Sequence, residues 1–228
     1  MKFVKLQSGT SVKGNPIPAY KTNINSDKYF YILGAVHGDE VEGAHLAKEL
    51  FSWLENEYNA ELPIVVVPIV NVDGFEAKSR VNANGVDLNR NLPSKQWTAQ
   101  AREAKYFPGK EPLSEPENKF LVELFKLYPP KLIISFHSWY PVINYNGPCK
   151  EVAEFLASYN KYPIEADFAS HPTPGSLGEF GPQQLNCPVL TFECPLLSEN
   201  ITLENIWDEN KIAFQKLFTD KIIENFKS

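Results

Sequence analysis

The 228-residue sequence has only three cysteines, Cys149, Cys187 and Cys194, and no two of them form a CxxC pair. A small and odd number of cysteines excludes a disulfide framework and suits a reducing compartment. The chain also lacks an excess of positive charge, because 22 Lys and Arg stand against 28 Asp and Glu, which gives a net charge of −6. Duplex nucleic acid needs a concentrated positive surface, so we expect no nucleic-acid partner.

Long hydrophobic segments are absent as well. No apolar run approaches the roughly 18 residues that a membrane-spanning helix needs. Residues 1–20 carry charges inside their only apolar stretch, so they do not resemble a secretory signal. Apolar residues make up 43% and charged residues 22% of the chain, which is typical of a globular protein. We therefore expect one cytoplasmic domain over residues 1–228 with no membrane partner.

Four short apolar runs, rich in β-branched residues, predict buried strands. They cover residues 29–36, 64–70, 132–136 and 188–192. Helical spacing of apolar residues predicts further elements, over residues 41–54, 151–159 and 203–226. A capping box formed by Ser114 and Glu117 predicts the start of another helix. Alternating strands and helices predict an α/β fold with a mixed, mostly parallel central sheet flanked by helices on both faces.

Polar side chains follow each predicted strand, at the point where the strand ends. In chain order they are His37 and Glu40, Asn71 and Asp73, His137, and Glu193. In open α/β sheets, ligands bind outside the carboxyl ends of the strands. We therefore expect these side chains to converge in one crevice, although they are far apart in the sequence.

Two histidines and one glutamate among these residues match the ligand set of a catalytic zinc site. His37 and Glu40 are three residues apart at a strand-to-helix turn, a spacing that lets both side chains reach one ion, and His137 can supply a third ligand. A zinc-bound water has its pKa lowered to about 7 and becomes a usable nucleophile. The alternative for His37 alone is a solvated or helix-capping histidine, so the zinc hypothesis depends on the agreement of several strand ends.

Such a site also needs a carboxylate outside the metal shell that takes the proton from water and passes it to the leaving amine. Glu193, alone at the end of an apolar strand, is our candidate for that role. The neighbouring Cys194 is predicted to be a small buried hydrophobe, because strand alternation points the two side chains to opposite faces.

The long polar stretch from residue 71 to residue 113 is unusual, because a compact domain seldom carries one without a function. Within it, Arg80 and Arg90 lie near several side-chain amides. Arginines in this setting suit the bidentate capture of a carboxylate or the stabilisation of an oxyanion. The alternative is an exposed Asn/Gly turn with surface arginines, which does not explain why the segment lies inside this stretch.

Five motifs, taken together and in this order, resemble the zinc carboxypeptidases of the M14 metallopeptidase family. They are HGDE (37–40), NVDG (71–74), GVDLNRN (85–91), FHS (136–138) and TFE (191–193). The resemblance covers roughly residues 31–195. Three further segments, 80–93, 114–117 and 173–178, are similar to the murein peptide amidase subgroup of this family.

The resemblance implies a role for each matching residue. His37, Glu40 and His137 match the ligands of one zinc ion. Arg80 matches the arginine that polarises the scissile carbonyl and steadies the oxyanion. Glu193 matches the general base and acid.

Two neighbouring residues, Asn89 and Arg90, match the pair that holds the terminal carboxylate of the substrate. We expect Asp87, just before them, to orient the loop or a ligand histidine. Two features depart from the family pattern. No tyrosine lies between residue 163 and the end of the 173–178 loop, where family members carry a mobile one, and Leu177 and Gly178, followed by Glu179, stand where digestive relatives place a residue that sets specificity. The contributions of His171 and Glu179 stay open.

The expected activity is that of a zinc-dependent amidase acting on a small murein peptide, which it cuts between D-Glu and meso-diaminopimelate during cell-wall recycling. One alternative is a general metallocarboxypeptidase that removes C-terminal residues, and a more distant one is an acylase of N-acylated amino acids. An alternative of another class is a zinc-bearing module that binds cell-wall peptides without cutting them. A pure binding module has no need of Glu193 or Arg80.

Overall fold

The computed structural model describes residues 1–168 and 171–227. Within them lie ten strands: β1 (Phe3–Lys5), β2 (Gly9–Thr10), β3 (Pro16–Ile17), β4 (Tyr20–Thr22), β5 (Tyr29–Leu33), β6 (Ile64–Val67), β7 (Pro130–Trp139), β8 (Val142–Asn146), β9 (Ile164–Ala166) and β10 (Val189–Pro195). Eight of them form one sheet in the order β1-β4-β6-β5-β7-β10-β8-β9, and β2 pairs with β3. Their arrangement determines where the polar strand ends meet.

The centre of the sheet consists of the four strands that the apolar runs predict. Strand β5 lies parallel to both β6 and β7, and β7 lies parallel to β10. Strands β8 and β9 are also parallel, whereas β1, β4 and β8 add antiparallel pairings toward the edges. The predicted mixed, mostly parallel sheet is therefore confirmed.

Seven helices accompany the sheet in the described residues: α1 (Val41–Asn56), α2 (Val72–Ala77), α3 (Pro116–Leu127), α4 (Lys150–Asn160), α5 (Leu177–Gln184), α6 (Leu203–Thr219) and α7 (Ile222–Asn225). Helices α1, α4, α6 and α7 contribute to one apolar core, and α3 and α5 contribute to a second. Alternation along β5 explains the two cores, because Phe30 and Ile32 enter the first and Tyr31 and Leu33 enter the second. Helices on both faces are thus confirmed.

The first two predicted strands end earlier than the apolar runs suggest, at Leu33 and Val67. The segments that follow these two strands approach each other closely, because a Cβ at Gly34 would lie 2.5 Å from the carbonyl oxygen of Pro68. The chain then leaves the sheet through Ala35, whose φ is 45°. This early exit brings the residues that follow β5 over the edge of the sheet.

The predicted capping box at Ser114 and Glu117 is wrong. Helix α3 begins at Pro116 behind Glu115, and no side chain caps it. The Ser114 hydroxyl instead donates to the Glu115 carboxylate at 2.6 Å, and the buried Glu117 carboxylate accepts from Asn82 Nδ2 at 3.1 Å. Long-range hydrogen bonds therefore outcompete the local cap.

The polar stretch of residues 71–113 is largely irregular, as predicted. It contains helix α2 and two short 3-10 turns, Leu88–Arg90 and Ala104–Tyr106. The short edge strands and helix α5 were not predicted. In the part of the chain that the structure describes, no helix combines the length and the apolar character needed to cross a membrane.

Candidate active site and metal centre

The candidate site lies where the neighbouring strands β5, β7 and β10 end. Because these strands are parallel, their carboxyl ends share one edge of the sheet. Glu193 on β10 is directly in register with His137 on β7. His37 and Glu40 lie on the turn between β5 and α1, so three of the four predicted strand ends converge in space. The expectation is wrong for Asn71 and Asp73 after β6, because Asn71 caps helix α2 and Asp73 accepts hydrogen bonds from Ser11, Lys13 and Asn15.

Three buried side chains form a compact cluster at this edge. The Nδ1 atom of His37 lies 2.6 Å from one carboxylate oxygen of Glu40, and the Nδ1 atom of His137 lies 2.8 Å from the other. The two Nδ1 atoms are 3.2 Å apart. Among the described residues, these three are the one group of His, Cys, Asp and Glu close enough together to hold a metal ion. Two imidazole nitrogens and one carboxylate are the donor set of a catalytic zinc site.

The outward-facing nitrogen of each imidazole has its own partner. His37 Nε2 lies 3.1 Å from Asp87 Oδ1, and His137 Nε2 lies 3.0 Å from the Ser135 hydroxyl. Partners of this kind fix the orientation of the ring and leave the other nitrogen directed at the metal position. The predicted role of Asp87 toward a ligand histidine agrees with this geometry.

Electrostatics hold the carboxylates of the cluster in the charged form. Burial opposes ionisation of Glu40, but the charges and hydrogen bonds of His37 and His137 outweigh it and keep the pKa of Glu40 below its ordinary value. Asp87 is fully buried, yet His37 and Arg80 hold its pKa below the usual range in the same way. The cluster therefore combines one ionised carboxylate, that of Glu40, with two imidazoles, and the ionised Asp87 lies behind it.

Glu193 has the opposite environment. Its Oε2 atom is buried and has no hydrogen-bond partner among the described residues. Burial and the nearby charge of Glu40 raise the pKa of Glu193 to about 8, although His137 and Arg80 act in the opposite direction. Cys194 points the other way, into the apolar core, as strand alternation predicts. A carboxyl group without a partner beside a candidate metal centre can gain and lose a proton near neutral pH.

Arg80 is held at the cluster by two carboxylates. Its Nη1 atom lies 3.3 Å from Glu40 Oε1, and its Nε atom donates to Asp87 Oδ2 at 3.1 Å. Asp87 also accepts from the backbone N–H of Asn89 at 2.9 Å. One buried aspartate thus positions a cluster histidine, Arg80 and the start of the Leu88–Arg90 turn.

Asn89 and Arg90 lie on this turn and face the same cavity. The side-chain oxygen of Asn89 accepts from the backbone N–H of Leu177 at 2.8 Å, which ties the turn to helix α5. Arg90 is 91% buried, and its Nη1 atom donates to the Asn89 carbonyl at 2.6 Å. The remaining guanidinium nitrogens of Arg90 make no hydrogen bond within the described residues and are available to an anion.

A cavity of about 640 Å³ unites the predicted residues. Six of the seven site residues from the sequence line it, namely His37, Glu40, Arg80, Asn89, Arg90 and Glu193. The seventh, His137, contacts Glu40 in the wall behind the cavity. The structure therefore brings the whole predicted set together.

Several residues to which the sequence analysis gave no role also line the cavity. Arg102 and Tyr106 come from the irregular 98–106 segment, and the rings of Trp139 and His171 meet edge to face at 5.2 Å between centroids. Two of the residues in the neighbourhood without tyrosine, 169 and 170, lie outside the described residues. Glu179 does not line the cavity, because its carboxylate accepts from the Ser94 hydroxyl at 2.6 Å and ties two loops together. The 98–106 segment contains a single arginine and no periodic pattern, so no local signal identified Tyr106.

Comparisons with known proteins agree with this geometry. The family model described as zinc carboxypeptidase matches residues 2–161. A curated relative from Vibrio campbellii, named murein peptide amidase A, is 33% identical over 214 residues, which cover 88% of this chain and 83% of the relative. The murein peptide amidase A of Escherichia coli K12 is 31% identical, over 84% of this chain and 81% of the relative.

Solved structures give the same result. The murein-tripeptide amidase of Escherichia coli O157 superposes with a TM-score of 0.75 at 28% identity, covering 93% of this chain and 90% of that one. Carboxypeptidase A of Helicoverpa armigera superposes with a TM-score of 0.81 at 17% identity, over 99% of this chain and 70% of that one, a likeness of fold alone. On the family match, the relatives and the fold together, the chain belongs to the zinc carboxypeptidase family.

Proposed function

We propose that this chain is a zinc-dependent amidase that cleaves the bond between γ-D-Glu and meso-diaminopimelate in murein peptides, as a step of cell-wall peptide recycling. The observation that carries the proposal is the buried carboxyl group of Glu193, whose Oε2 atom has no hydrogen-bond partner in the described part of the chain and which lies beside the His37–Glu40–His137 cluster. That arrangement supplies a proton acceptor next to a metal-binding donor set. The carboxypeptidase-like cavity and the murein peptide amidase relatives support the substrate class.

The metal centre of this proposal consists of His37, Glu40 and His137, holding one zinc ion. The donor set fits zinc, because two imidazole nitrogens and a carboxylate converge within 4.8 Å of one another while the outer nitrogens are already engaged. When bound there, zinc acts as a Lewis acid that lowers the pKa of water and polarises a carbonyl oxygen. The ionised state of Glu40 prepares the cluster for a divalent cation.

Glu193 moves the proton in this mechanism. It takes a proton from the attacking water and returns it to the amine nitrogen that leaves. A pKa raised by burial suits both steps, because the group must hold the proton briefly and then release it.

The other polar residues of the cavity bind and orient the substrate. Arg80, positioned by Glu40 and Asp87, lies where it can donate to the oxyanion that forms at the scissile carbonyl. Arg90, with the side-chain amide of Asn89, binds the carboxylate next to the scissile bond. Fixing this carboxylate sets the register of the peptide relative to Glu193.

Residues 1–228 act as one catalytic domain in this proposal, and the cytoplasm is its location. The strands of the central sheet come from residues 3 to 195, so the site is assembled from residues of both halves of the chain. The three cysteines are free and buried, which suits a reducing compartment.

The direct test is incubation of the purified, zinc-loaded protein with L-Ala-γ-D-Glu-meso-diaminopimelate, with and without a chelator. We expect release of diaminopimelate that stops when the metal is removed and returns when zinc is added. Absence of chelator-sensitive release would remove the substrate assignment. Faster turnover of blocked C-terminal dipeptides than of the γ-linked substrate would favour the general carboxypeptidase.

A variant pair tests the proton step. Glu193→Gln keeps the size of the side chain and removes its ionisation, so we expect zinc binding to persist while turnover falls by about 10²–10⁴-fold. Glu117→Gln is the matched control, because it removes another buried carboxylate that does not line the cavity and is expected to keep turnover. Tight calorimetric binding of the tripeptide by wild type without product over hours would favour the binding module.

A further inference from the structure

The arginines of this chain are concentrated at one place. Only three of its 22 basic residues are arginines, and all three, Arg80, Arg90 and Arg102, line the same cavity. Arginine presents a planar fork that matches a carboxylate in two hydrogen bonds, whereas lysine acts as a point charge. The restriction of guanidinium groups to the cavity therefore indicates recognition of several anionic groups there.

The three arginines differ in how they are neutralised. Arg80 contacts two carboxylates, those of Glu40 and Asp87. Neither Arg90 nor Arg102 forms an ion pair within residues 1–168 and 171–227. The proposed function uses Arg90 for one carboxylate of the substrate, which leaves the positive charge of Arg102 without an assigned partner.

The ring of Tyr106 organises this part of the cavity. The Cζ atom of Arg102 lies 4.4 Å from the ring centroid, the Cζ atom of Arg90 lies 5.6 Å from it, and Lys105 Nζ lies 5.0 Å from it. Cations over an aromatic face are attracted by its quadrupole and held in a defined direction. Lys105 has a counter-charge in Glu103 at 3.3 Å, so the surplus positive charge resides on the two arginines.

The local electrostatics agree with a surplus of positive charge. Burial lowers the pKa of Arg90, and the like charges of Arg80 and Arg102 lower it further, while Asp87 opposes them. Burial raises the pKa of the Tyr106 phenol, but its interactions with Arg102 and Lys105 outweigh that effect and lower it overall. An anion bound beside these groups would raise the pKa values of Arg90 and Tyr106 back toward their ordinary ranges, because it offsets the surrounding positive charge.

The cleft extends beyond the site cavity to an end that Arg90 and Arg102 both line. A second cavity of about 310 Å³ adjoins the first and shares Arg90, Arg102, Tyr106 and Pro172 with it. No residue of the His37–Glu40–His137 cluster lines this second cavity. Arg102 can therefore hold a carboxylate in a cavity that no residue of the metal cluster lines.

We propose that Arg102, positioned by the Tyr106 ring, forms a second carboxylate-binding site beside Arg90 and selects substrates that carry a second carboxylate near this end of the cleft. The inference rests on the proposed function, and it adds a specificity-determining residue to it. The murein tripeptide offers two such groups, the distal carboxylate of diaminopimelate and the α-carboxylate of the γ-linked D-Glu. Both have the same chemistry, and the experiment separates them.

The test compares three substrates with wild type, Arg102→Gln and the control Lys110→Gln. The substrates are the parent tripeptide, a version with L-Lys in place of diaminopimelate, which lacks the distal carboxylate, and a version with the D-Glu α-carboxylate converted to an amide. Lys110 is an exposed cation of the same stretch that does not line the cavity, so its variant controls for general loss of positive charge. Urea unfolding of each variant verifies that it is folded.

We expect Arg102→Gln to lower kcat/KM on the parent tripeptide by about tenfold or more, chiefly through KM, as the loss of a charge-assisted contact predicts. On the substrate that lacks the carboxylate bound by Arg102, Arg102→Gln and wild type should have the same kcat/KM. The substrate on which the two proteins become equal therefore shows which carboxylate Arg102 binds. Lys110→Gln should keep the selectivity of wild type. Unchanged selectivity of Arg102→Gln across both substrate pairs would overturn the inference.

Failure of the proposed function gives a different result. In that case wild type releases neither diaminopimelate nor lysine from the three peptides. The second site is then tested by calorimetry with free meso-diaminopimelate and free lysine on wild type and Arg102→Gln. Equal preference of the two proteins for diaminopimelate over lysine would reject the site, and loss of that preference in the variant would support it.

Discussion

Replacing Asp87 with Asn tests whether one buried carboxylate organises the candidate site. Asp87 accepts from three groups: His37 Nε2 at 3.1 Å, Arg80 Nε at 3.1 Å and the Asn89 backbone N–H at 2.9 Å. An asparagine has nearly the same shape, but it is neutral and presents only one oxygen as an acceptor. The substitution therefore removes charge and orientation while it leaves the packing in place.

Two effects of different size are expected. The loss of a carboxylate behind a ligand histidine costs about 10–100-fold in metal affinity, or roughly 1.4–2.7 kcal/mol. Leaving one member of a buried ion pair uncompensated costs about 3–5 kcal/mol of unfolding free energy. Arg80 keeps its contact with Glu40 and a side chain that is 20% exposed, so we expect a loss near the lower limit, about 3 kcal/mol.

The stability effect has a defined pH dependence. The pKa of Asp87 in the folded protein is lowered, so its contribution is fully present above the pKa of the unfolded chain, about 3.9, and is lost as pH falls through the folded pKa. The difference in unfolding free energy between wild type and Asp87→Asn should therefore be constant near neutral pH and shrink as pH falls from 5 toward 2.

The assays are chelator competition for zinc affinity and urea unfolding of the metal-free proteins. Asp73→Asn is the matched control, because Asp73 is equally buried but accepts from Ser11, Lys13 and Asn15, away from the cluster. We expect the control to lose stability and to keep its zinc affinity. Zinc affinity of Asp87→Asn within threefold of wild type would refute the orienting role.

Three further predictions follow from the same geometry. Arg80→Lys keeps the charge but not the planar fork, so kcat should fall by about 10²–10³-fold with little change in zinc affinity, measured by steady-state kinetics and chelator competition. A Cβ at Gly43 would lie 2.8 Å from the backbone of His137, so Gly43→Ala should lower zinc affinity and cost about 1–3 kcal/mol in urea unfolding despite its better helix propensity. Because burial and Glu40 raise the pKa of Glu193 to about 8, the metal-free folded state holds a proton that the unfolded chain releases above about pH 4.3. Stability should therefore fall as pH rises from 4.3 to 8, and Glu193→Gln should reduce that slope between urea titrations at pH 5 and pH 9, while the raised pKa of His37 keeps part of it; an unchanged slope contradicts the assignment.

The metal cluster and Glu193 could be predicted from the sequence because each of these residues lies at or just after a strand end. His137 and Glu193 directly continue apolar runs, and His37 and Glu40 lie on the turn after a third run. Parallel pairing then brings residues separated by about 150 positions to one edge, a consequence of topology that needs no detailed side-chain information. Asn89 and Arg90 required the family resemblance, because their chemistry alone fits both carboxylate binding and a surface turn.

Features that depend on long-range contacts could not be predicted in this way. The local pattern of Ser114 and Glu117 favours a cap, but both side chains find partners elsewhere, one of them on the distant residue Asn82. Strands of two or three residues at the edges carry too few side chains to show a period. Tyr106 lies in an irregular segment, where nothing local indicates that its ring faces three arginines.

Asp87 and Glu193 both carry a carboxyl group beside the cluster, but their environments differ, and this difference determines their proposed roles. Asp87 is surrounded by donors and positive charge, so it stays ionised and serves as a fixed anchor. Glu193 is also buried, but its Oε2 atom has no donor among the described residues, so its protonated form is stabilised relative to its charged form. If Glu193 had the three donors of Asp87, its pKa would fall and it could no longer return a proton to an amine near neutral pH. The proposed chemistry thus requires that the Oε2 atom of Glu193 lacks a donor. Burying this oxygen without a hydrogen bond lowers the unfolding free energy of the metal-free protein.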